Sequence, residues 1–358
     1  MKNETDISDS RYGPRRLTVE LTNICNLHCS YCLRDEDALY HTRARFMPLD
    51  LLRRIVREAK EVAAITEVNF TGGEPTIHPE FAEAIDICGA EGTRVSFVSN
   101  GWNFEKLWPD LLKVRGSLSH VAFSLDGATA EAHDRWRGNG SFVRLIRAFS
   151  RCHRHELPFV VKVGIRSDTF QQLEEIAMFA ARLGASGLSF AHVMPTSESL
   201  ASDVALSVEE RRRAEEEITL LARIFKMNVS IDVGYYNIEA SAPCSPLAGA
   251  SYNVDYQGRL TLCCNLSGFR GATEQSDVVS DLNVESFGEA FERFHRLKDL
   301  QLERRRLALR EAQQQGVEPD IYLGSPCLFC LNSFAKLPWH SESQLASGVR
   351  QSLPVINY

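Results

Sequence analysis

The segment "RLTVELTNICNLHCSYCLRD" (residues 16–35) joins a strand pattern to a loop that contains three cysteines. Residues 16–22 predict a β-strand, because threonine and valine favour the pleated sheet. Cys25, Cys29 and Cys32 follow in the loop. Three thiolates are one fewer than a structural zinc ion or a fully ligated [4Fe–4S] cluster takes from protein. Either a fourth ligand lies elsewhere in the chain, or one metal corner is left for a ligand that is not protein.

A strand-then-helix unit repeats from this segment to residue 195. Strand patterns cover residues 67–73, 94–101, 120–127, 159–165 and 187–195. Helical periodicity covers residues 51–64, 79–92, 104–113, 141–155 (with Ser141 as N-cap) and 171–184. The capping-box spacing of Ser207 and Glu210 predicts one more helix, which runs to about Phe225. Six successive βα units predict an α/β fold with a parallel sheet curved into a partial (β/α)6 TIM-like barrel.

The pattern changes after residue 237. Residues 251–264 alternate like a β-hairpin around Gln257-Gly258, a long charged helix covers about 284–313, and "PCLFC" follows at 326–330. These features predict a small C-terminal α+β domain. We expect an N-terminal tail (1–15), the barrel (16–235), the small domain (236–335) and a C-terminal tail (336–358).

The composition excludes several classes of protein. The chain has 358 residues, of which 44% are hydrophobic and 24% charged, as in globular proteins. A formal charge of −7 argues against binding to nucleic acid, and the basic run "ERRRLALR" (303–310) is typical of a solvated helix face. No apolar stretch approaches the roughly 20 residues of a membrane span, and no secretion signal is visible. We therefore expect a cytoplasmic protein without a membrane partner, in which ten cysteines are metal ligands or reactive groups rather than disulfides.

Polar or glycine-containing segments follow the first four strands. They are the cysteine loop, "TGGEP" (71–75), "SNG" (99–101) and "SLDG" (124–127). Because parallel barrels build their sites from the loops at the C-terminal ends of the strands, these segments should meet at one rim. The sequence therefore predicts a site for a polar, nucleoside-sized ligand beside a metal cluster.

The spacing Cys25-x3-Cys29-x2-Cys32, with Tyr31 before the last cysteine, resembles the radical S-adenosylmethionine superfamily. "GGEP", "SNG", "SLDG" and "HDRWRG" (133–138) extend the resemblance over roughly residues 16–195. It implies a [4Fe–4S] cluster on the three cysteines, with the fourth iron chelated by S-adenosylmethionine. Reduction would release a 5′-deoxyadenosyl radical that abstracts a substrate hydrogen atom. An electron donor such as flavodoxin or ferredoxin is implied as a partner.

The same resemblance assigns roles to residues of the rim. The backbone at Gly72-Gly73 and the Glu74 carboxylate would receive the ammonium group of S-adenosylmethionine. Tyr31 would lie near the adenine, and Arg137 near the carboxylate. The residues assigned to the ribose and carboxylate are Ser99, Asn100, Ser124 and Asp126.

A second set of cysteines occupies the C-terminal region: Cys244, Cys263, Cys327 and Cys330. With Gly258 five positions before Cys263, the set resembles the twitch type of auxiliary-cluster domain in the same superfamily, which holds one [4Fe–4S] cluster. The alternative is a structural zinc site, because four thiolates also satisfy tetrahedral zinc.

Three further cysteines lie outside both sets. Cys264 adjoins Cys263 on a predicted strand, so the two side chains should point to opposite faces. Cys264 is therefore a free thiol near the cluster, either buried or a catalytic hydrogen-atom donor. Cys88 and Cys152 fall on outer helices of the barrel and should pack in the core.

Two reactions fit these residues. Dehydrogenation would send an electron to the auxiliary cluster and a proton to a base such as Asp232, Tyr235 or Tyr236, whereas epimerisation would return a hydrogen atom from Cys264. Because the barrel begins near residue 16, with no N-terminal peptide-recognition domain, we expect a small-molecule substrate, such as a sugar or aminocyclitol in natural-product biosynthesis. The alternatives are a peptide-modifying maturase and a non-catalytic iron–sulfur binding or sensory protein.

Overall fold

A computed structural model of the chain describes residues 15–34, 36–202, 204–239, 243–273 and 275–337. The predicted N-terminal tail, apart from Arg15, lies outside the described residues, and so does the predicted C-terminal tail from residue 338 onwards. Within these ranges, strands and helices alternate as the βα repeat predicts.

The strands of the described ranges all belong to one sheet. They are β1 (Arg16–Thr22), β2 (Glu67–Gly72), β3 (Arg94–Ser99), β4 (Leu118–Ser124), β5 (Phe159–Ile165), β6 (Gly187–His192), β7 (Asn228–Val233), β8 (Ser251–Val254), β9 (Arg259–Thr261) and β10 (Val278–Asp281).

The α-helices lie between and after these strands. They are α1 (Glu36–Tyr40), α2 (Leu49–Ala63), α3 (Phe81–Ala90), α4 (Phe104–Lys113), α5 (Ala130–Arg137), α6 (Ser141–Arg154), α7 (Leu173–Arg182), α8 (Ser197–Ala201), α9 (Val208–Ile224), α10 (Phe287–Gln315), α11 (Ile321–Gly324) and α12 (Pro326–Ser333). Short 3-10 turns cover Pro75–Ile77, Arg115–Ser117 and Phe170–Gln172.

Strands β1 to β7 are parallel and lie side by side in chain order. Parallel neighbours need a crossover connection, which the intervening helices supply. The predicted α/β fold with a partial TIM-like barrel is confirmed. The sheet extends by one parallel strand, β7, beyond the six predicted units.

The predicted C-terminal hairpin is present, and it continues the barrel sheet. β8 and β9 pair antiparallel around a turn in which Gly258 N–H donates to Asp255 O at 2.9 Å. β8 pairs parallel with β1, in a register that sets Ser251 beside Arg16. The hairpin belongs to the barrel sheet, so the sheet does not mark a boundary between two domains. The predicted domain boundary between residues 235 and 236 therefore stays a prediction.

The hydrophobic core lies between the sheet and the helices that cover it. Phe123 of β4, Phe149 of α6 and Phe159 of β5 are fully buried, with ring centroids 4.9 to 6.2 Å apart. Burial of each such ring stabilises the fold by about 2 to 3 kcal/mol. Cys88 and Cys152 are buried in this same layer, as their helical positions predict.

The long predicted helix is α10, and it closes the C-terminal region over β8. Ser286 and Glu289 form a capping box at its start, and Gly316 ends it in the left-handed conformation. Phe287 N–H donates to Glu58 Oε2 of α2 at 2.7 Å, so α10 is tied to the barrel as well as to the hairpin. No helix in the described ranges is long and apolar enough to cross a membrane.

Three local predictions differ from the structure. Helix α5, over the "HDRWRG" segment, was not predicted. The N-cap of α6 is Gly140, so Ser141 is its first helical residue. Strand β9 ends at Thr261, so Cys263 and Cys264 lie in a turn and the predicted alternation along a strand is wrong for them.

The cysteine loop is held against the end of β2 by a close backbone approach. Gly73 N–H donates to Thr22 O, and Glu74 N–H donates to Ile24 O, both at 2.9 Å. A Cβ atom at Gly73 would lie 1.9 Å from Ile24 O, which is far inside van der Waals contact. Glycine is therefore required here by the loop that it touches.

We expect Gly73→Ala to lower the free energy of unfolding by about 3 kcal/mol, because the backbone of the cysteine loop has to move away. Gly116→Ala is the matched control, since a Cβ there would meet nothing within 4 Å. Chemical denaturation monitored by circular dichroism measures both. Equal stability of the two variants would contradict the close approach.

Candidate functional site

The three cysteines of the loop after β1 line one cavity of about 340 Å³. The cavity lies at the C-terminal ends of the parallel strands, where Thr71, Ser99 and Ser124 also line it. Cys32 N–H donates to Cys29 O at 3.0 Å, which closes a tight turn between two of the thiols.

Burial raises the pKa of Cys25 to about 12 and that of Cys29 to about 11. For Cys25 the neighbouring Glu74 carboxylate adds to this effect. Such thiols stay protonated until a metal replaces the proton, because metal ligation requires the thiolate.

Glu74 ties the ends of β2 and β3 together. Its carboxylate is 2% exposed and accepts from Ser99 Oγ at 2.9 Å, from Asn100 N–H at 2.8 Å and from the Thr76 hydroxyl and N–H. Asn100 Nδ2 in turn donates to Asn26 Oδ1 of the cysteine loop at 2.9 Å. Glu74, Ser99 and Asn100 of the predicted rim therefore form one hydrogen-bonded unit with the cysteine loop.

Asp126, just beyond β4, is the centre of a buried charged network. Arg137 Nε and Tyr31 Oη donate to its Oδ2, and Arg166 Nη1 donates to its Oδ1 at 2.8 Å. Although burial raises the pKa of Asp126, the two guanidinium groups hold it well below its usual value. Arg137 Nη2 also donates to Tyr31 Oη at 2.7 Å. Tyr31 and Arg137 are thus fixed in position by one carboxylate.

Arg166 is a functional residue that the sequence analysis missed. Its side chain is fully buried, with the guanidinium carbon 4.9 Å from the Tyr31 ring centroid and 4.3 Å from that of Trp136. Asp168 accepts from Arg166 Nε at 3.0 Å and from Trp136 Nε1 at 2.6 Å. Arg166 follows the end of β5, as the recognised motifs follow β1 to β4, and that position was the available signal.

The structure brings the predicted rim residues together. Those that line the cavity are Cys25, Cys29, Tyr31, Cys32, Gly72, Gly73, Glu74, Ser99, Asn100, Ser124, Arg137 and Cys264. Asp126 lies behind Tyr31 and Arg137 rather than at the cavity surface.

The second set of cysteines lines a separate cavity of about 20 Å³. Cys244, Cys263, Cys327 and Cys330 all contribute to it. Burial raises the pKa of Cys327 to about 12, and it raises those of Cys244 and Cys330 as well.

Three of these four sulfurs accept N–H hydrogen bonds. Gly234 N–H donates to Cys327 Sγ at 3.4 Å, and Asn265 N–H donates to Cys263 Sγ at 3.5 Å. Gln301 Nε2 donates to Cys330 Sγ at 3.5 Å. Hydrogen bonds to sulfur are one of the ways in which proteins tune iron–sulfur clusters.

Arg305 corrects the interpretation of the basic run as a solvated face. Its side chain is 2% exposed, and Nη2 donates to the carbonyls of Asn237, Leu323 and Gly324. The guanidinium therefore joins α10 to both chain segments beside the second cavity. A helical wheel could have placed it there, since Gln301, one turn earlier, is also buried.

Cys263 and Cys264 line different cavities despite lying in a turn. Cys263 lines the second cavity, Cys264 lines the first, and Asn265 lines both. A hydrogen bond between the two thiols lowers the pKa of Cys264 to about 7 and raises that of Cys263. The two side chains thus face different cavities, although the strand argument for this is wrong, and the roles of ligand and free thiol stay predictions.

Two predicted base candidates are engaged elsewhere. Asp232 accepts from Ser189 Oγ and pairs with Lys162 at 3.2 Å, and Tyr236 Oη donates to Pro319 O at 2.9 Å. Neither is among the described residues that line the main cavity, and Tyr235 is not among them either.

The donor sets fit metal clusters better than single ions. Among the described residues, no three His, Cys, Asp or Glu side chains are arranged to hold one metal ion. Thiolates around one zinc ion stand about 3.8 Å apart, given Zn–S bonds of about 2.3 Å. In a [4Fe–4S] cluster each thiolate binds a different iron, so the sulfurs stand farther apart around a central volume. The three thiols line one cavity without forming a single-ion site, which favours a cluster over a single metal ion.

The partial barrel and its thiol-lined cavity define a protein that can hold a metal cluster beside a polar ligand. Residues 19–180 match the family described as the Radical SAM superfamily. The matched residues, which begin within β1 and include β2 to β5, therefore form the radical S-adenosylmethionine domain that the motifs predict. A domain of this family implies S-adenosylmethionine and a [4Fe–4S] cluster as cofactors.

Several named proteins are similar to the barrel. Mycofactocin maturase MftC of Mycobacterium tuberculosis (strain CDC 1551 / Oshkosh) is 35% identical over 182 residues, which are 49% of this chain and 44% of that protein. Sporulation killing factor maturation protein SkfB of Bacillus subtilis (strain 168) is 27% identical over 178 residues, 49% of this chain and 41% of that protein. The chain thus spans less than half the length of these relatives.

Solved structures show the same fold. Streptococcus suis SuiB bound to precursor peptide SuiA aligns over 78% of this chain and 64% of that chain, with a TM-score of 0.62 and 14% identity. At this identity the likeness concerns the fold alone.

The comparisons contradict the predicted small-molecule substrate and partner. MftC and SkfB are named for maturation, and the SuiB structure holds a precursor peptide. The prediction rested on the start of the barrel near residue 16. That reasoning was wrong because proteins named for maturation match about half of this chain, so the position at which the barrel begins does not decide the substrate.

We expect Asp126→Asn to lower the free energy of unfolding by about 3 to 5 kcal/mol, because it leaves Arg137 and Arg166 without their buried counter-charge. Asp110→Asn is the matched control, since Asp110 pairs with Lys113 at 2.7 Å on the surface and should cost less than about 1 kcal/mol. Urea denaturation at neutral pH measures both. A similar loss in the two variants would contradict the importance of the buried network.

Proposed function

We propose that the protein is a radical S-adenosylmethionine enzyme that modifies a residue within a peptide. One observation carries the proposal: a single cavity is lined by the three thiols of the cysteine loop, a polar rim, an apolar wall and one further thiol. The maturation names of MftC and SkfB, and the peptide held by SuiB, support a peptide as the substrate.

The cysteine loop would hold the first cluster and the rim would hold S-adenosylmethionine. Cys25, Cys29 and Cys32 supply the thiolates, and the Gly72-Gly73 backbone, with its close packing, offers polar groups next to them. When bound and reduced, the cofactor pair supplies the radical that removes a hydrogen atom from carbon.

Residues of the rim would orient the nucleoside before the reaction. Tyr31 and Arg137 face the cavity with their positions set by Asp126, so little side-chain entropy is lost when the ligand binds. Ser99, Asn100 and Ser124 present further polar groups from the ends of β3 and β4. Glu74 already accepts four hydrogen bonds, so we assign it mainly to holding the rim together.

The second cavity, at about 20 Å³, would have to widen to hold an auxiliary [4Fe–4S] cluster between its thiols. Its four thiols come from three segments of the C-terminal region, and three of them accept hydrogen bonds from nitrogen. The small domain would then be an auxiliary-cluster domain of the twitch type.

The wall opposite the cysteine loop fits an uncharged side chain of the substrate. Ala191, Val193, Met194 and Val233 form it, at the ends of β6 and β7. The charged residues that line the cavity, Arg34, Glu74 and Arg137, are all bonded within the protein. An aliphatic or aromatic residue of a peptide would therefore lose little solvation here.

The position of Cys264 favours one of the two reactions that the sequence predicts. Its thiol lines the cavity, so a hydrogen atom on its sulfur lies within the space that the substrate would occupy. This favours epimerisation over dehydrogenation, because the engaged Asp232 and Tyr236 leave no predicted base at the described cavity wall.

We expect anaerobically reconstituted protein to contain about eight irons per chain, and Cys327→Ala to contain about four, because each [4Fe–4S] cluster depends on its own cysteine set. Cys152→Ala is the matched control, since this cysteine is buried in the barrel core and should not change the iron content. Iron analysis with Mössbauer spectroscopy measures this. An unchanged iron content in Cys327→Ala would contradict the proposal of a second cluster.

We expect reduced holoenzyme in heavy water to introduce deuterium at carbon into a pool of random synthetic peptides, but not into a pool of monosaccharides and aminocyclitols. Cys264→Ala should abolish this gain while 5′-deoxyadenosine still forms, because only the returned hydrogen is lost. Mass spectrometry reads both products. Labelling of the small molecules alone would overturn the peptide proposal, and loss of two hydrogens from the peptides would overturn the role of Cys264.

A further inference from the structure

A basic loop lies directly beside the cysteine loop. Residues 41–45, "HTRAR", follow α1, and the side chains of His41, Arg43 and Arg45 are exposed. These three form no ion pair with any other described residue. Glu36, at the start of α1, is already engaged by Arg270. The protein as a whole has a formal charge of −7, so the sign of this loop is opposite to the net charge of the chain.

The basic loop is anchored to the chain just before the first cysteine. Thr22 Oγ1 donates to Arg45 O at 2.9 Å, and Arg45 N–H donates to Asn23 Oδ1 at 2.7 Å. Asn23 Nδ2 also donates to Arg43 O at 3.4 Å. The positive side chains are therefore held at the outer side of the loop that carries Cys25.

Tyr40 connects the basic loop to the cysteine loop on the other side. Its ring stacks on the exposed His28 with centroids 3.7 Å apart, and its hydroxyl donates to Leu27 O at 2.5 Å. Tyr40 and Leu27 both line the main cavity beside the cysteines. Only one layer of side chains thus separates the basic surface from the thiols.

We propose that His41, Arg43 and Arg45 form the docking surface for an acidic protein that delivers single electrons to the cluster on the cysteine loop. This inference rests on the proposed function, because it requires that cluster. One electron passes from the donor, which is oxidised, to the cluster, which is reduced, and no covalent bond forms or breaks. A local positive surface raises the rate of encounter with an acidic partner by about 10-fold or more at low salt.

The position of the loop favours an electron donor over the peptide substrate. The apolar wall that fits the substrate lies at the ends of β6 and β7, whereas the basic loop is bound to the end of β1. The sheet order places four strands between β1 and β6, so the two features lie on different sides of the barrel rim. A partner on the basic loop therefore leaves the substrate side open.

The test compares two charge-reversal variants of the reconstituted holoenzyme. Arg43→Glu/Arg45→Glu changes the proposed surface. Arg223→Glu/Lys226→Glu makes the same charge change on two exposed residues, one in the last turn of α9 and one just before β7, at the opposite end of the barrel. Stopped-flow bleaching of the visible cluster absorbance measures reduction by flavodoxin hydroquinone at low and high salt. Photoreduced deazaflavin serves as a reductant that needs no protein docking.

With flavodoxin at low salt, we expect the Arg43→Glu/Arg45→Glu variant to be reduced about 10-fold more slowly than the unaltered enzyme, and its rate to lose most of its salt dependence. The control variant should match the unaltered enzyme, and deazaflavin should reduce all three equally. Equal rates with flavodoxin would overturn the docking surface. So would an unchanged flavodoxin rate accompanied by weaker binding of acidic peptides, which would assign the surface to the substrate. Absence of cluster absorbance in the unaltered protein would instead contradict the proposed function.

Discussion

The close approach of two backbones, at the ends of β1 and β2, is the constraint on which the site depends. Gly73 and Glu74 donate their N–H groups to carbonyls of the segment that leads into Cys25, and a Cβ at Gly73 would collide with one of them. The glycine pair therefore fixes the height of the cysteine loop above the sheet. The Glu74 carboxylate then extends this arrangement to β3 through Ser99 and Asn100. The three thiols share a cavity with the polar strand ends because these contacts leave the loop no other position.

The charged residues around the cavity are likewise held in fixed positions by contacts within the protein. Asp126 pairs with Arg137 and Arg166 before any ligand binds, and it positions Tyr31 by accepting a hydrogen bond from the phenol. A buried carboxylate with two guanidinium partners remains ionised at neutral pH, so the network does not change its protonation when a polar ligand arrives. Because these orientations already exist in the folded chain, ligand binding does not have to provide the free energy for them.

Much of this arrangement is readable from the sequence, because it follows from local patterns. The alternation of strands and helices, the cysteine spacing and the motifs after β1 to β4 place most of the rim residues. The missed residues act through contacts between distant segments: Arg166 through Asp126 and Trp136, and Arg305 through carbonyls beyond α10. The pairing of β8 with β1 also joins segments that are far apart in the sequence, and local periodicity does not predict it. The wall that we assign to the substrate comes from β6 and β7, and its apolar residues cannot be told from core residues in the sequence.

The turn that contains Cys263 and Cys264 links the two cysteine sites mechanically. Arg270 N–H donates to Leu33 O at 2.8 Å, and its guanidinium donates to Ser30 O at 3.0 Å, so the segment after the turn is fastened to the cysteine loop. The free thiol is thereby held at the point where the two sites meet. On the proposed assignment, electrons enter from the β1 side and the peptide from the side of β6 and β7. Because the two partners use different sides of the rim, a donor can remain bound while the peptide enters, and reduction need not wait for the substrate to leave.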